Sequence, residues 1–349
     1  MSYTNGLDNP ELYFQTKLYT GNSGTNAITL DGSENMQPDW IWIKERGATG
    51  SHVLTDVVRG ITKQLYSNDT QSENTNSSSI TAIGSDGFTL GNRADVNNNS
   101  DTYVAWNWKA GNSSGSSNSD GSITSTVSVS TDAGFSILSY TGTGSNATIG
   151  HGLGSVPAWI ITKNRDATQP LRIYHKALGA TFGMILNDAS VKDDDNTAWN
   201  DTEPTSSVFS VGTSANTNNS SDDFIAYCFA EKKGYSKFGS YTGNGNADGT
   251  FIYTGFRPAF VIIKNSSRAS ENWNLIDNKR DGFNGSNENL APNLDGAESS
   301  GNNRWDILSN GFKCRDTNNE VNNSSDTYIF MAFSESPFTN SSGIPNNAR

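Results

Sequence analysis

Three residue types are scarce in this sequence of 349 residues: it contains 2 cysteines, 3 histidines and 4 methionines. Two cysteines cannot form a disulfide framework, and no HxxxH, HxH or CxxC spacing offers a transition-metal site. No stretch approaches the roughly 18 consecutive apolar residues of a transmembrane helix. Residues 1–10 also lack the basic start and apolar core of a signal peptide. The sequence therefore predicts neither membrane insertion nor a secretory signal.

Charged residues are also few, because Asp, Glu, Lys and Arg make up only 17% of the chain. The 36 acidic residues outnumber the 24 basic ones and give a net charge of −12, which argues against a nucleic-acid partner. Turn-forming residues are abundant, with 43 Asn, 46 Ser and 34 Gly. The 8 Trp, 12 Tyr and 16 Phe can bury a large apolar area, which a disordered chain cannot do. This composition predicts an all-β protein.

Four landmarks recur three times in the same order along the chain. They are a Tyr-Thr-Gly turn, an apolar strand ending in Lys, a short strand centred on Phe, and an Asn-rich turn followed by an aromatic strand. The first landmark begins at Tyr19, Tyr140 and Tyr241, and the second covers 38–44, 157–163 and 258–264. The third covers 87–90, 208–211 and 311–314, and the fourth covers 97–103, 218–224 and 322–328. The matched spacing predicts three tandem repeats of about 100 residues.

Within each repeat, short apolar runs are separated by Gly, Asn, Ser and Asp clusters, which predicts a β-sandwich of jelly-roll or lectin-like type. The predicted boundaries are an N-terminal segment (1–11), repeat 1 (12–110), a Gly/Ser/Asn linker (111–121), repeat 2 (122–233), repeat 3 (234–337) and a C-terminal tail (338–349). Alternation over 123–129 predicts a strand that opens repeat 2. The best helix candidate is 55–65.

The strand that closes each repeat alternates between two faces. We predict that the larger face lies in the core and that the smaller, mixed face is half covered. The larger faces carry Val104, Trp106 and Trp108; Ile225, Tyr227 and Phe229; and Ile329, Met331 and Phe333. The strand Trp40–Ile43 is apolar on both faces, so we expect a neighbouring repeat or a second chain to cover it.

Residues with the potential for chemistry have simpler structural interpretations. Cys228 and Cys314 occupy positions that are core-like in the other repeats. Asp193-Asp194-Asp195-Asn196 with Asp201, and the Asn-rich turns, are candidate Ca²⁺ ligands, but solvated loops and Asx turns explain them better. His52 and His151 have no counterpart in other repeats, and His175 falls at the position of Asp56 and Asp277. No hydrolase motif is present. We therefore assign no catalytic residue, no metal ligand and no cofactor, and we identify no ligand-binding residue.

Exposed aromatic rings and Asn or Asp side chains are typical of glycan-binding β-sandwiches. Most Trp residues lie on strand-like runs and are expected in cores. Trp199, Trp273 and Trp305 lie in more polar settings, so ligand contact stays open for them beside ordinary packing.

The repeats resemble modules of virion proteins from marine bacteriophages, especially those of cyanobacterial and marine podovirus-like phages. The resemblance covers nearly the whole chain. The segments that carry it are Leu18–Asn22, Asp39–Arg46, Asp86–Gly91, Asp101–Gly111, Gly234–Asn244, Tyr253–Lys264 and the ending Ala332–Phe338 with Asn-Ala-Arg349. It implies a virion structural protein, usually read as a tail fibre or receptor-binding protein with lectin-like domains, and it supplies no catalytic residues.

From this resemblance we expect a non-enzymatic phage virion protein, assembled in the host cytoplasm, that attaches to host-surface glycans and contacts other virion proteins. A homo-oligomer, preferably a trimer, is expected because phage fibres are usually trimeric. The first repeat begins near Leu12, without an anchoring segment or a shaft before it, so a short knob or attachment through a partner is also open. The alternatives are a capsid decoration or tail accessory protein that binds only other virion proteins, and a polysaccharide depolymerase.

Overall fold

The structure is a computed structural model that describes residues 7–281, 283–285, 288–301, 303–340 and 342–345. Strands make up 42% and helices 4%, so the prediction of an all-β fold is confirmed. Residues 1–6 of the predicted N-terminal segment and the Asn-Ala-Arg349 ending of the tail lie outside the described residues. Over the described ranges, no helix has the length and apolar character needed to cross a membrane.

The strands are short and follow one another closely. Repeat 1 contains β1 (Phe14–Thr20), β2 (Asn26–Thr29), β3 (Trp40–Glu45), β4 (Val53–Asp56), β5 (Lys63–Tyr66), β6 (Asn74–Thr75), β7 (Ile80–Gly84), β8 (Gly87–Leu90) and β9 (Thr102–Trp108). Repeat 2 contains β10 (Ser116–Asn118), β11 (Ser125–Ser130), β12 (Phe135–Thr141), β13 (Ala147–Gly150), β14 (Trp159–Asn164), β15 (Arg172–His175), β16 (Phe182–Ile185), β17 (Asp193–Asp194), β18 (Val208–Val211) and β19 (Asp223–Phe229). Repeat 3 contains β20 (Ser236–Thr242), β21 (Phe251–Tyr253), β22 (Phe256–Asn265), β23 (Asn274–Asp277), β24 (Trp305–Leu308), β25 (Gly311–Cys314) and β26 (Thr327–Pro337). One-turn helices are α1 (Ala94–Asn97), α2 (Asn196–Trp199) and α3 (Ala215–Asn218), and a 3₁₀ turn covers Pro10–Leu12.

Each repeat has a large antiparallel sheet with its closing strand in the interior. The strand orders are β1-β9-β3-β4-β5-β6, then β10-β11-β12-β19-β14-β15-β16-β17, then β20-β26-β22-β23. The smaller sheets β2-β8-β7, β13-β18 and β21-β25-β24 each pack on one face of the large sheet of the same repeat. Two packed sheets with one apolar layer between them form a β-sandwich.

Two segments differ from a simple chain of strands and linkers. The predicted strand of 123–129 is present as β11, and it pairs with β10, which lies inside the predicted linker. The segment 111–121 is thus partly built into the sheet of repeat 2. The helix candidate 55–65 is wrong: its ends belong to β4 and β5, which pair with each other. The loop between them contains Gly60 at φ +97°, a conformation that a helix does not allow.

The Tyr-Thr-Gly landmark is explained by how each repeat closes. The Tyr19 ring stacks on Tyr103 with 5.1 Å between centroids, and the Tyr19 hydroxyl donates to the Val96 carbonyl at 2.7 Å. The same two contacts join Tyr140 to Phe224 and Thr217, and Tyr241 to Tyr328 and Val321. A Cβ on Gly21 would lie 2.0 Å from the carbonyl oxygen of Asn98, and the contact would be 2.2 Å at both Gly142 and Gly243. Only glycine allows the turn to approach the Asn-rich turn this closely.

One apolar core is shared by all three repeats, because the large sheets face one another across it. Trp40 of repeat 1 stacks on Tyr227 of repeat 2 at 4.5 Å, and Trp108 packs edge-on against Phe260 of repeat 3 at 5.3 Å. The larger faces of the closing strands line this shared core, as predicted for a core face. The smaller faces are not half covered: they are fully buried in the separate core of each repeat, since the small sheets lie over them.

The two-sided strand β3 receives its cover from the same chain. Its Trp40 and Trp42 point into the shared core, whereas Ile41 and Ile43 point into the core of repeat 1. A neighbouring repeat therefore suffices to bury this strand, and the strand gives no support for an oligomer.

Contacts between repeats form a closed ring. Asp56, His175 and Asp277 hold matching positions at the ends of β4, β15 and β23, opposite Trp40, Trp159 and Phe260. Asp56 of repeat 1 accepts a hydrogen bond from Tyr227 of repeat 2 (2.8 Å), and His175 of repeat 2 contacts the Phe330 carbonyl of repeat 3 (3.3 Å). Asp277 of repeat 3 accepts from Trp106 of repeat 1 (3.0 Å) and completes the ring. The chain thus arranges its repeats cyclically about one core.

Acid is expected to destabilise the fold through His175. Burial lowers the pKa of His175 to about 3, from 6.5 for an exposed histidine. Between these values the unfolded state binds a proton that the folded state excludes, so stability falls as pH falls, by at most about 1.4 kcal/mol per pH unit. Urea unfolding of a His175→Gln variant between pH 6.5 and 5 should show a shallower dependence than the parent. An unchanged slope would contradict the prediction, and Thr29→Gln on the surface serves as the control.

Candidate functional site

The three tryptophans for which ligand contact was open are packing residues. Trp199, Trp273 and Trp305 are at most 2% exposed. The Trp273 indole donates to the Ile185 carbonyl of repeat 2 at 3.0 Å, so it joins two repeats. Trp199 ends helix α2 and Trp305 begins β24, so polar neighbours in sequence do not make these rings exposed.

The cysteines and histidines lie apart from one another in protein interiors. Cys228 and Cys314 are fully buried in the cores of repeats 2 and 3, which confirms their interpretation as core residues, and burial raises the pKa of both thiols. His52 accepts a hydrogen bond from Trp42 at 2.9 Å. His151 and His175 accept from the backbone of Leu153 and Ala177, and burial lowers the pKa of all three histidines.

The acidic run near 193 is occupied by protein partners. Arg172 donates to both carboxylate oxygens of Asp193 at 2.8 and 2.9 Å, and Asp195 caps helix α2 by accepting from Thr197. Side chains of the Asn-rich turns bond within the protein: the buried Asn97 amide donates to the Gly24 and Gly91 carbonyls. In the part of the chain that the structure describes, no group of three or more His, Cys, Asp or Glu side chains gathers as metal ligands would.

An open cleft lies at one end of the repeat 3 sandwich, and a short connection explains it. The chain from the first strand of the small sheet to the matching positions Trp40, Trp159 and Phe260 covers 30–39 in repeat 1, 151–158 in repeat 2 and 254–259 in repeat 3. In repeat 3 only 254–255 are outside a strand, because 256–259 already belong to β22. In repeat 1 this connection lies over the sandwich end. There the Gln15 side-chain amide accepts a hydrogen bond from the Gly32 N–H and donates one to the Glu34 carbonyl. Lys237 holds the position of Gln15 in repeat 3, and no such loop covers it.

This repeat 3 cleft has a volume of about 450 Å³, within the usual range of small-ligand sites, about 300–1,000 Å³. Its lining consists of Glu231, Lys233, Gly234, Ser236, Lys237, Tyr253, Thr254, Gly255, Pro337, Phe338 and Thr339. Tyr253 is 60% exposed, and its hydroxyl passes 3.5 Å from where a Cβ of Gly255 would lie. Gly255, at φ +84°, provides the turn, whereas a Cβ there would make only an ordinary van der Waals contact with this ring.

Exposed aromatic side chains distinguish repeat 3 from the other repeats. Phe251 and Tyr253 point outward from β21 and are 43% and 60% exposed. The outward positions of the matching strands are Ala27 and Thr29 in repeat 1, and Thr148 and Gly150 in repeat 2. Among the described residues, these two exposed rings on neighbouring outward positions make β21 of repeat 3 the candidate surface.

The charged groups of the cleft are partly paired. Glu231 accepts from Lys237 at 2.7 Å and from Lys176 of repeat 2 at 2.5 Å. Burial alone would raise the pKa of Glu231, but the two ammonium groups outweigh it and lower that pKa. Lys233 is exposed at the cleft and has no ion-pair partner among the described residues.

Sequence reasoning did not find this cleft, although one signal was present. Aligning the repeats on Tyr19, Tyr140 and Tyr241 shows where repeat 3 departs from the others: at Tyr253, at Lys233 directly before its predicted start, and in its short connection. Positions that all repeats share turned out to serve the fold. Positions where repeat 3 departs toward exposed aromatic and cationic residues line the cleft.

Comparison with known proteins gives one match. The family model of a domain of unknown function, DUF7483, matches residues 9–337, a range that runs through all three repeats. No curated protein and no solved structure matches the chain. Since the matched range covers nearly the whole sequence, the chain belongs to the DUF7483 family.

Proposed function

We propose that this chain is a non-enzymatic phage virion structural protein that attaches to host-surface glycans through the repeat 3 cleft. The observation that carries the proposal is the exposed Tyr253 ring at a polar cleft of about 450 Å³. The resemblance of the repeats to virion proteins supports the virion assignment, with assembly in the host cytoplasm and placement at the tail.

The cleft has the chemistry that a sugar requires. A saccharide ring has an apolar face, which stacks on an aromatic side chain, and a rim of hydroxyl groups, which need donors and acceptors. Tyr253 and Phe338 supply apolar surface, whereas Thr339 and Lys233 supply polar groups. The turn after Tyr253 is fixed from inside, because the buried Thr254 hydroxyl donates to the Phe256 carbonyl at 2.7 Å.

Replacing Tyr253 with alanine is expected to weaken glycan binding at least about tenfold, since a central aromatic contact often contributes about 2 kcal/mol or more. Binding to a glycan array and to host cells measures the effect. Phe283→Ala is the matched control, because Phe283 is 83% exposed but does not line the cleft. The control should bind as the parent does.

Absence of binding to every glycan and to host cells would overturn the proposal and favour a capsid decoration or tail accessory role. Electron microscopy of labelled particles would then locate the chain. We propose a tail position with copies in multiples of three, the symmetry of phage fibres; density spread over the capsid lattice would contradict it.

A further inference from the structure

The cationic character of the repeat 3 cleft is specific to that repeat. Phe14, Phe135 and Ser236 hold the same register against their closing strands, opposite Trp108, Phe229 and Phe333. The residues three positions earlier are Glu11, Asp132 and Lys233. An acidic position in two repeats is therefore basic in the repeat that has the cleft.

A second position changes in the same direction. Lys237 corresponds to Gln15 in repeat 1 and to Ser136 in repeat 2, which are both uncharged and buried. Glu231 already pairs with Lys237 and with Lys176, so its negative charge is offset within the cleft. The cleft is therefore positively charged in a chain whose net charge is −12, and Lys233 is its ammonium group without an ion-pair partner among the described residues.

The Lys233 side chain and the aromatic residues Tyr253 and Phe338 line the same cleft. Lys233 and Gly234 form one wall of the cleft, Tyr253 to Gly255 form another, and Pro337 to Thr339 form a third. Gly234 has φ +81°, and a Cβ there would meet the Pro337 side chain at 3.5 Å, so the turn that presents Lys233 packs directly on the third wall. A ring resting on Tyr253 can therefore direct a substituent to the Lys233 ammonium across a single cleft.

We propose that the repeat 3 cleft binds an acidic sugar, whose ring stacks on Tyr253 and whose anionic substituent pairs with Lys233. This rests on the proposed function and names its ligand class. Lysine recognises an anion as a point charge, and a charge-assisted hydrogen bond is stronger than a neutral one. A neutral sugar would use the ring contact alone and bind more weakly.

The test uses two probes with the same sugar rings, trigalacturonic acid and its uncharged methyl ester, each titrated into the full chain by calorimetry. We expect the acid to bind about tenfold more tightly than the ester. Lys233→Gln should abolish that difference and leave binding of the ester unchanged. Lys232→Gln is the matched control, because it removes the same charge one residue away without lining the cleft.

The outcomes separate this inference from the proposed function. Equal binding of acid and ester, or an acid preference that survives Lys233→Gln, overturns the acidic-sugar inference while glycan binding through Tyr253 stands. Failure of the chain to bind any acidic or neutral saccharide on an array overturns the proposed function and this inference with it. A sulfated trisaccharide as a third probe distinguishes a preference for carboxylates from one for anions in general.

Discussion

Replacing Trp40 with alanine is expected to destabilise all three repeats together, by about 3–5 kcal/mol in the free energy of unfolding. Trp40 lies in the shared core, where its ring centroid is 4.6 Å from that of Trp108 in its own repeat. The centroids of Tyr227 and Phe135 of repeat 2 lie 4.5 and 5.9 Å from it. The cavity left by its removal opens between repeats. Hydrogen exchange measures the effect, and amide protection in β14 and β22 should fall with that in β3.

An exposed substitution gives the reference for this experiment. Thr29→Ala changes a surface side chain of β2 in the same repeat, so protection should stay at the parental level in every sheet. Loss of protection confined to repeat 1 in the Trp40 variant would mean that the repeats unfold as independent domains. The shared core would then contribute little to cooperativity.

A single chain with a cyclic arrangement has a consequence for assembly. The repeats of one chain bury the strand β3 on both of its apolar faces. Trimer formation stays part of the proposed function, but it must rest on surfaces other than β3. Self-association measured by analytical ultracentrifugation can therefore be interpreted independently of core stability.

Much of the fold could be predicted from local patterns. The all-β fold, the closing strands and the two-sided strand β3 follow from periodicity, because side chains alternate between faces. Which apolar layer is shared could not be predicted, since both faces of the closing strand are buried and only tertiary packing decides the partner. The segment 55–65 forms a hairpin, in which Asp56 accepts hydrogen bonds from the backbone of Val58 and Arg59. Periodicity does not reveal such a side-chain contact, so the helix prediction was wrong there.

The candidate site was harder to predict than the fold, for a physical reason. The cleft joins residues near 233, near 254 and near 338, which are far apart in sequence, and it exists because a loop is short. A sequence motif consists of residues that are present, so a connection that is short in one repeat produces no motif. Comparison among the three repeats makes it visible, because repeats 1 and 2 show what closes the sandwich end elsewhere.

Removing the Arg280 side chain is expected to cost about 3–5 kcal/mol of stability, because it leaves a buried carboxylate without its ion-pair partner. Arg280 pairs with Asp277 at 2.6 Å, and both side chains are fully buried. The guanidinium also reaches Glu298 at 2.8 Å, which a second arginine, Arg46 of repeat 1, holds at 2.7 Å. Urea unfolding of Arg280→Leu measures the loss.

Repeat 2 supplies the compensating change for that variant. At the positions of Asp277 and Arg280 it carries His175 and Leu178, a combination without a buried ion pair. The double variant Asp277→His/Arg280→Leu should therefore recover at least about 1 kcal/mol relative to Arg280→Leu alone, with Arg46 still pairing Glu298. Additive losses in the double-mutant cycle would contradict this. Recovery would mean that the two residues at these positions must suit each other, as Asp277 and Arg280 or His175 and Leu178 do. It would also mean that a buried ion pair is not required there.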